Sequence, residues 1–169
     1  SGGYWQGWWP RAGETRSAAF LRMNPTGQVP VIEVSDGTYL AQSNAILEYL
    51  AEGTDLVPED AFARAKVREW LYWEQYSHEP YVAVCRSHMV YGGGSKETRE
   101  PWRVERGEAA LAHMNARLAE TSWLAIDRFT IADLALLPYT MLAEEGGFDL
   151  AAYPHVSAWV ERCSRCLGL

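Results

Sequence analysis

The chain is short of cysteine, of positive charge and of long apolar runs. Its three cysteines, Cys85, Cys163 and Cys166, are an odd number with none of the spacing of a disulfide framework. Cys163-x-x-Cys166 has the spacing of half a metal or redox site. No second pair of ligands accompanies it, so thiols in a reducing cytoplasm are expected, and no metal. The 15 Lys and Arg against 22 Asp and Glu leave a formal charge of -7, which argues against nucleic acid and anionic membrane as partners. No stretch approaches the ~18–20 apolar residues of a membrane helix, and no cleavable signal with a basic start is visible. What the 169 residues do have is apolar content, 48%, enough for a core in one or two small domains.

The most informative stretch runs from Asn24 to Leu50. Asn24-Pro25 signals a turn, and Val29-Pro30 then precedes two β-favouring runs, Val31–Val34 and Thr38–Leu40. Asp36-Gly37 between them predicts a tight hairpin. Gln42-Ser43-Asn44 follows, ahead of the helix formers Ala45 to Leu50, and Ser43 or Asn44 suits the capping position. An X-Pro bond is the one type in which the cis form is cheap, so Val29–Pro30 is expected to be cis, leaving the Val29 backbone open to an extended peptide. The polar helix start concentrates unpaired N–H groups and the positive dipole end, where a carboxylate docks. Together these features suit a short peptide with a free carboxylate. They also suit a plain hairpin followed by a plain cap.

The pattern N-P-x-G-x-V-P-V, then D-G, then L-x-x-S-x-A-I-x-x-Y-L resembles the glutathione-binding half of glutathione S-transferases. The resemblance extends from about Gly13 to Leu167. It implies that Val29, the residue before a cis-Pro30, pairs its backbone with the cysteinyl part of glutathione. It further implies that Gln42 and Ser43 hold the γ-glutamyl carboxylate, with Gln28 and Glu33 as further contacts.

Residues 1–12 fall outside the resemblance and carry Trp5, Trp8 and Trp9. A thioredoxin-like domain puts a strand, a helix and a second strand ahead of the helix holding Phe20, and such a βαβ unit takes roughly 30 or more residues. Sixteen residues precede Ser17, so the first strand and helix are expected to be missing, with Tyr4–Trp9 supplying at most one strand. Relatives place a catalytic Ser, Tyr or Cys near the end of that first strand. The catalytic residue is therefore unassigned, with Ser1 or Tyr4 as substitutes if the tail folds back.

The remainder reads as helical. Ala51–Pro58 carries Gly53 and Pro58 and is read as a linker. Pro80 predicts a kink near Tyr76, because it removes a backbone donor. Val104, Gly107, Leu111, Met114 and Leu118 form one face at helical period, with Gly107 marking a close backbone approach by another helix. Thr130-x-x-Asp133 after Phe129 predicts a capping box with a hydrophobic staple on Leu134. Glu74 and His78 have the i, i+4 spacing of a metal pair but lack a third ligand. Arg86 is a candidate contact for an anion.

The expected fold class is α+β and mostly α: a truncated thioredoxin-like domain, hairpin plus helices, over 1–52, a linker over 53–60, and an all-α helical bundle over 61–169. The implied function is conjugation of the glutathione thiol to a small apolar electrophile by a cytoplasmic homodimer, with glutathione as substrate. The alternative is a non-catalytic relative serving as an interaction or dimerisation module.

Overall fold

A computed structural model describes residues 13–169. The expectations for Tyr4–Trp9, the tryptophan cluster and Ser1 lie outside the described residues. The chain divides into two compact units, with the division between Leu50 and Ala51.

In the first unit, Ser17 accepts from the Phe20 N–H at 3.2 Å and starts a short helix, α1 (Ala18–Met23), whose Phe20 is fully buried. Strands β1 (Val31–Ser35) and β2 (Thr38–Ala41) pair antiparallel around Asp36-Gly37, and Gly37 takes the left-handed conformation that the tight turn requires. The register shifts between Glu33 and Ser35, a bulge beside the turn. None of the strand residues is fully buried. Helix α2 (Ser43–Ala51) follows directly. This is the thioredoxin-like half of the molecule, with a small two-stranded sheet.

The second unit is helical: α3 (Ala61–Trp73), α4 (Glu79–Arg86), α5 (Pro101–Glu120), α6 (Ile131–Met141) and α7 (Pro154–Leu167). The break expected near Pro80 takes the form of a widened π turn over Glu74–His78, closed by the Glu79 N–H on the Glu74 carbonyl. A wider turn absorbs the donor that proline lacks. Val57 and Pro58 are buried, the Leu56 carbonyl accepts from Ile131 N–H at 3.2 Å, and Arg128 donates to the Asp55 carbonyl at 3.1 Å. The stretch read as a linker is thus tied to the start of α6.

The α5 face expected from periodicity is inside: Gly107, Leu111, Met114 and Leu118 are buried. The close approach at Gly107 comes from the Phe148 ring, not from a helix backbone, and a Cβ there would run into that ring. Phe148 joins Val82, Cys85, Leu111 and Ala143 in one core cluster. Trp159, Ile131, Leu136 and Val156 are also fully buried. No helix among the described residues is long and apolar enough to cross a membrane.

Candidate functional site

The loop that leads into the hairpin is held by Asn24, which is buried to 5% exposure. Its Nδ2 donates to the Gln28 carbonyl at 2.7 Å, and its Oδ1 accepts from both the N–H and the hydroxyl of Thr26. Arg16 donates to the Thr26 carbonyl from the other side at 3.2 Å. Gly27 is left-handed, and a Cβ there would crowd Arg16 and the Thr15 carbonyl, so only glycine suits this tight loop. The loop delivers Val29 to the strand. The sequence marks Asn24 as part of a turn signal and of the family pattern but not as the anchor of the loop, because its partners depend on how the loop closes.

The Val29–Pro30 bond is cis, as expected. Val29 is 48% exposed, and its N–H and C=O have no hydrogen-bond partner among the described residues. Gln28 is exposed with its carbonyl committed to Asn24. Glu33 has a role inside the hairpin: its carboxylate accepts from the Gly37 N–H at 2.8 Å and supports the turn.

Gln42 has φ 75, the one left-handed non-glycine among the described residues. An L-residue other than Gly, Asn or Asp adopts that conformation at a cost of about 1–2 kcal/mol. Its carbonyl accepts from the Ile46 N–H at 3.0 Å, so Gln42 stands at the head of α2 and Ser43 is the first helical residue. Neither side chain has a hydrogen-bond partner among the described residues. Glutamine carries no sequence signal for this conformation, so the strain was not foreseeable.

The register brings the two ends together. Val31 pairs with Ala41 in antiparallel sense, so the next positions outward are Pro30 and Gln42. Val29–Pro30 and Gln42–Ser43 therefore leave the hairpin at the same end, and strands in register lie about 5 Å apart. One end of one hairpin presents an unpaired strand backbone and a helix N-terminus side by side. That arrangement suits an extended peptide along its main chain and a carboxylate at the helix start.

In the helical unit, Thr130 accepts from the Ala132 N–H at 3.3 Å as the α6 cap. Asp133 completes the capping box by accepting from the Thr130 N–H at 3.0 Å. Its other oxygen accepts from the Leu124 N–H at 3.1 Å and the Trp159 indole N–H at 2.9 Å. Burial pushes the Asp133 carboxyl above its ordinary range, against these three donors and the Thr130 hydroxyl. Phe129 packs edge-on against Trp123, with ring centroids 5.3 Å apart.

His78 is wholly buried on the π turn. The Thr140 hydroxyl donates to the Leu136 carbonyl at 2.7 Å, so at 3.0 Å from His78 Nε2 it acts as acceptor of the ring N–H. Nδ1 is then the bare nitrogen, and it has no partner. Burial lowers the imidazole pKa from 6.5 to about 3, keeping it neutral. Arg86 pairs with Glu145 at 2.7 Å and touches the Tyr91 hydroxyl at 3.3 Å, which already satisfies the cation read as an anion contact. Among the described residues no group of three His, Cys, Asp or Glu side chains could hold a metal ion. The three cysteines are free, and Cys85 and Cys163 are buried.

Residues 7–52 match the family model described as glutathione S-transferase, N-terminal domain, and residues 75–166 match glutathione S-transferase, C-terminal domain. Among curated proteins, the chain is 36% identical over 157 residues to a maleylacetoacetate isomerase of Rhizobium meliloti, covering 88% of this chain and 73% of the relative. Among solved structures, a glutathione S-transferase from Pseudomonas fluorescens superposes with TM-score 0.87 at 44% identity, over 92% of this chain and 78% of the other. A second, from Xanthobacter autotrophicus, gives TM-score 0.84 at 50% identity, over 89% and 74%.

Proposed function

The chain belongs to the glutathione S-transferase family, and we propose that it binds glutathione at the Pro30/Gln42 end of the hairpin and transfers the thiol to a small apolar electrophile. The observation that carries this reading is the register Val31↔Ala41, which sets the unpaired Val29 backbone beside the start of α2. Val29 exchanges main-chain hydrogen bonds with the cysteinyl residue. Ser43 and the free N–H groups of the first turn receive the γ-glutamyl carboxylate, assisted by the Gln42 amide. Gln28, Pro30 and Glu33 shape the approach, Glu33 by holding the turn.

The chemistry is attack by a thiolate. A free thiol of pKa about 8.5 is only a few per cent ionised at neutral pH, so binding that favours the anion raises the rate directly. No metal is required for this step.

A two-fold homodimer fits the apolar surface that the helical unit exposes. Phe62, Tyr72 and Tyr76 are 75%, 69% and 80% exposed, and their spacing puts them on one face of α3 and the π turn that continues it. A cytoplasmic setting accords with three free thiols.

The test is calorimetric titration of glutathione into the chain and into Ser43→Ala. Loss of a hydrogen bond to a charged group costs about 1.5–3 kcal/mol, so the variant should bind roughly 10- to 100-fold more weakly with an unchanged unfolding midpoint. Equal affinity in the two forms would remove Ser43 from the site. Absence of binding in the parent chain would overturn the reading. Binding without conjugation of an aromatic electrophile would assign the module alternative.

A further inference from the structure

A cavity of about 190 Å³ lies where the end of α4 and the π turn after it (Ser87–Tyr91) face the approach to α5. Val84, Cys85 and His88 form one wall, and Thr98, Arg99, Glu100 and Arg103 form the other, all within the helical unit. The space equals roughly six waters at about 30 Å³ each. It falls below the ~300 Å³ at which ordinary ligand pockets begin, so it suits a small group.

Two guanidiniums meet here, and they differ in what holds them. Arg103 is neutralised by Glu100, which accepts from its Nε at 3.0 Å and its Nη2 at 2.8 Å, while Nη1 donates to the Pro80 carbonyl. Arg99 is held by neutral groups alone. Its Nε donates to the Lys96 carbonyl at 3.0 Å and its Nη1 to the Gly146 carbonyl at 2.9 Å, with the guanidinium 5.5 Å from the Phe148 ring centroid. No ion pair engages Arg99 among the described residues. Glu97, next along, bonds the Ser95 hydroxyl at 2.7 Å, and that bond rather than Arg99 is the main cause of its lowered pKa. Burial raises the Cys85 thiol, and Arg99 and Arg103 pull it back, so both cations reach the floor of the cavity. The wall opposite them carries no carboxylate.

One fixed positive charge is thus left over, in a chain whose formal charge is -7. Two backbone carbonyls lock the Arg99 fork in place without spending its charge, and a preorganised fork is what an oxyanion needs. A dianion suits two neighbouring cations better than a carboxylate does, and a phosphate group carries about -1.5 to -2 at neutral pH. We propose that this cavity binds a small tetrahedral oxyanion, a phosphate or sulfate group, on Arg99 with Arg103 as the second cation, apart from the glutathione site.

The probes are sulfate, inorganic phosphate and glycerol 3-phosphate, each titrated by calorimetry into the whole chain at constant ionic strength set with chloride. The expected result is one anion per chain, unaffected by saturating glutathione. Tighter binding of glycerol 3-phosphate than of phosphate would assign the cavity to phosphate monoesters, and equal binding would assign it to the free ion. Val84→Glu, at a position 37% exposed, sets a like charge at the rim and should weaken binding at least tenfold with an unchanged unfolding midpoint. Arg99→Lys, which replaces the fork by a point charge, should weaken it several-fold. Arg165→Gln, on the exposed end of α7, should leave it unchanged. No binding of any of the three anions, full binding in Val84→Glu, an equal loss in Arg165→Gln, or displacement by glutathione would each overturn the proposal. The titration without glutathione stands even if the chain proves not to bind glutathione, so the two readings fail separately.

Discussion

The starts of α2 and α6 carry comparable polar residues, Gln42-Ser43-Asn44 and Thr130-Ile131-Ala132-Asp133, and use them differently. At α6 the polar side chains face inward. Asp133 takes four donors, from Thr130 twice, Leu124 and Trp159, and all of it is out of water. At α2 the Gln42 amide is exposed, Ser43 is half-buried, and neither side chain has a partner among the described residues. The Gln42 backbone is also in a costly conformation. A closed helix start is a structural joint. An open, strained one fits the glutathione site proposed above.

The largest expected effect breaks the closed end. Asp133→Ala leaves the Leu124 and Thr130 N–H groups and the Trp159 indole buried without acceptors, each at about 1–3 kcal/mol. A loss of roughly 3–5 kcal/mol in urea unfolding is expected, with the remaining folded protein binding glutathione as before. A loss under about 1 kcal/mol would mean that water replaces the carboxylate and that this joint is not closed.

The capping box was legible because both of its members lie within one helical turn, and the hairpin because Asp36-Gly37 is a local signal. The family pattern marks Val29, Gln42 and Ser43, the residues on which the proposed glutathione site rests. What the sequence could not reveal was non-local. Asp133 meets Trp159 across 26 positions, Arg86 meets Glu145 across 59, and the Gly107 space belongs to Phe148. Periodicity names the face of a helix that turns inward but not the side chain that meets it. The π turn at Glu74–His78 was foreseen as a disturbance at Pro80, though not in its form.

His78 is the exception inside the closed region, a buried polar ring with one nitrogen unpaired. Its folded pKa, about 3, lies below the ordinary 6.5. For a base this means that only the unfolded chain takes up the proton between those values. The stability contribution is thus intact above pH 6.5 and falls as the pH drops toward 3. At 1.36 kcal/mol per unit, the loss at pH 5 is about 2 kcal/mol. His78→Gln keeps a donor for Thr140 but cannot titrate. Comparing unfolding at pH 7 and pH 5, the parent should lose that increment and the variant should not. Equal losses in both would show that the ring is hydrated or paired when the acid arrives.

The smallest effect bears on the open end, and it separates strain from function. Gln42→Gly removes the steric cost of the left-handed conformation, about 1–2 kcal/mol, while giving the unfolded chain extra freedom worth about 0.4–1 kcal/mol. The net is a stabilisation of roughly 0.5 kcal/mol, against the usual direction for a mutation to glycine. The same change deletes the amide beside Ser43, so glutathione should bind several-fold more weakly although the protein is more stable. Gln42→Asn is the control, since Asn tolerates the left-handed region and keeps an amide. It should share the stabilisation and retain more of the binding. If Gln42→Gly destabilises the chain instead, the Gln42 side chain has structural work to do, and the contrast between the two helix starts fails. If it stabilises and binding is untouched, the strain is real but the carboxylate rests on Ser43 and the α2 backbone alone.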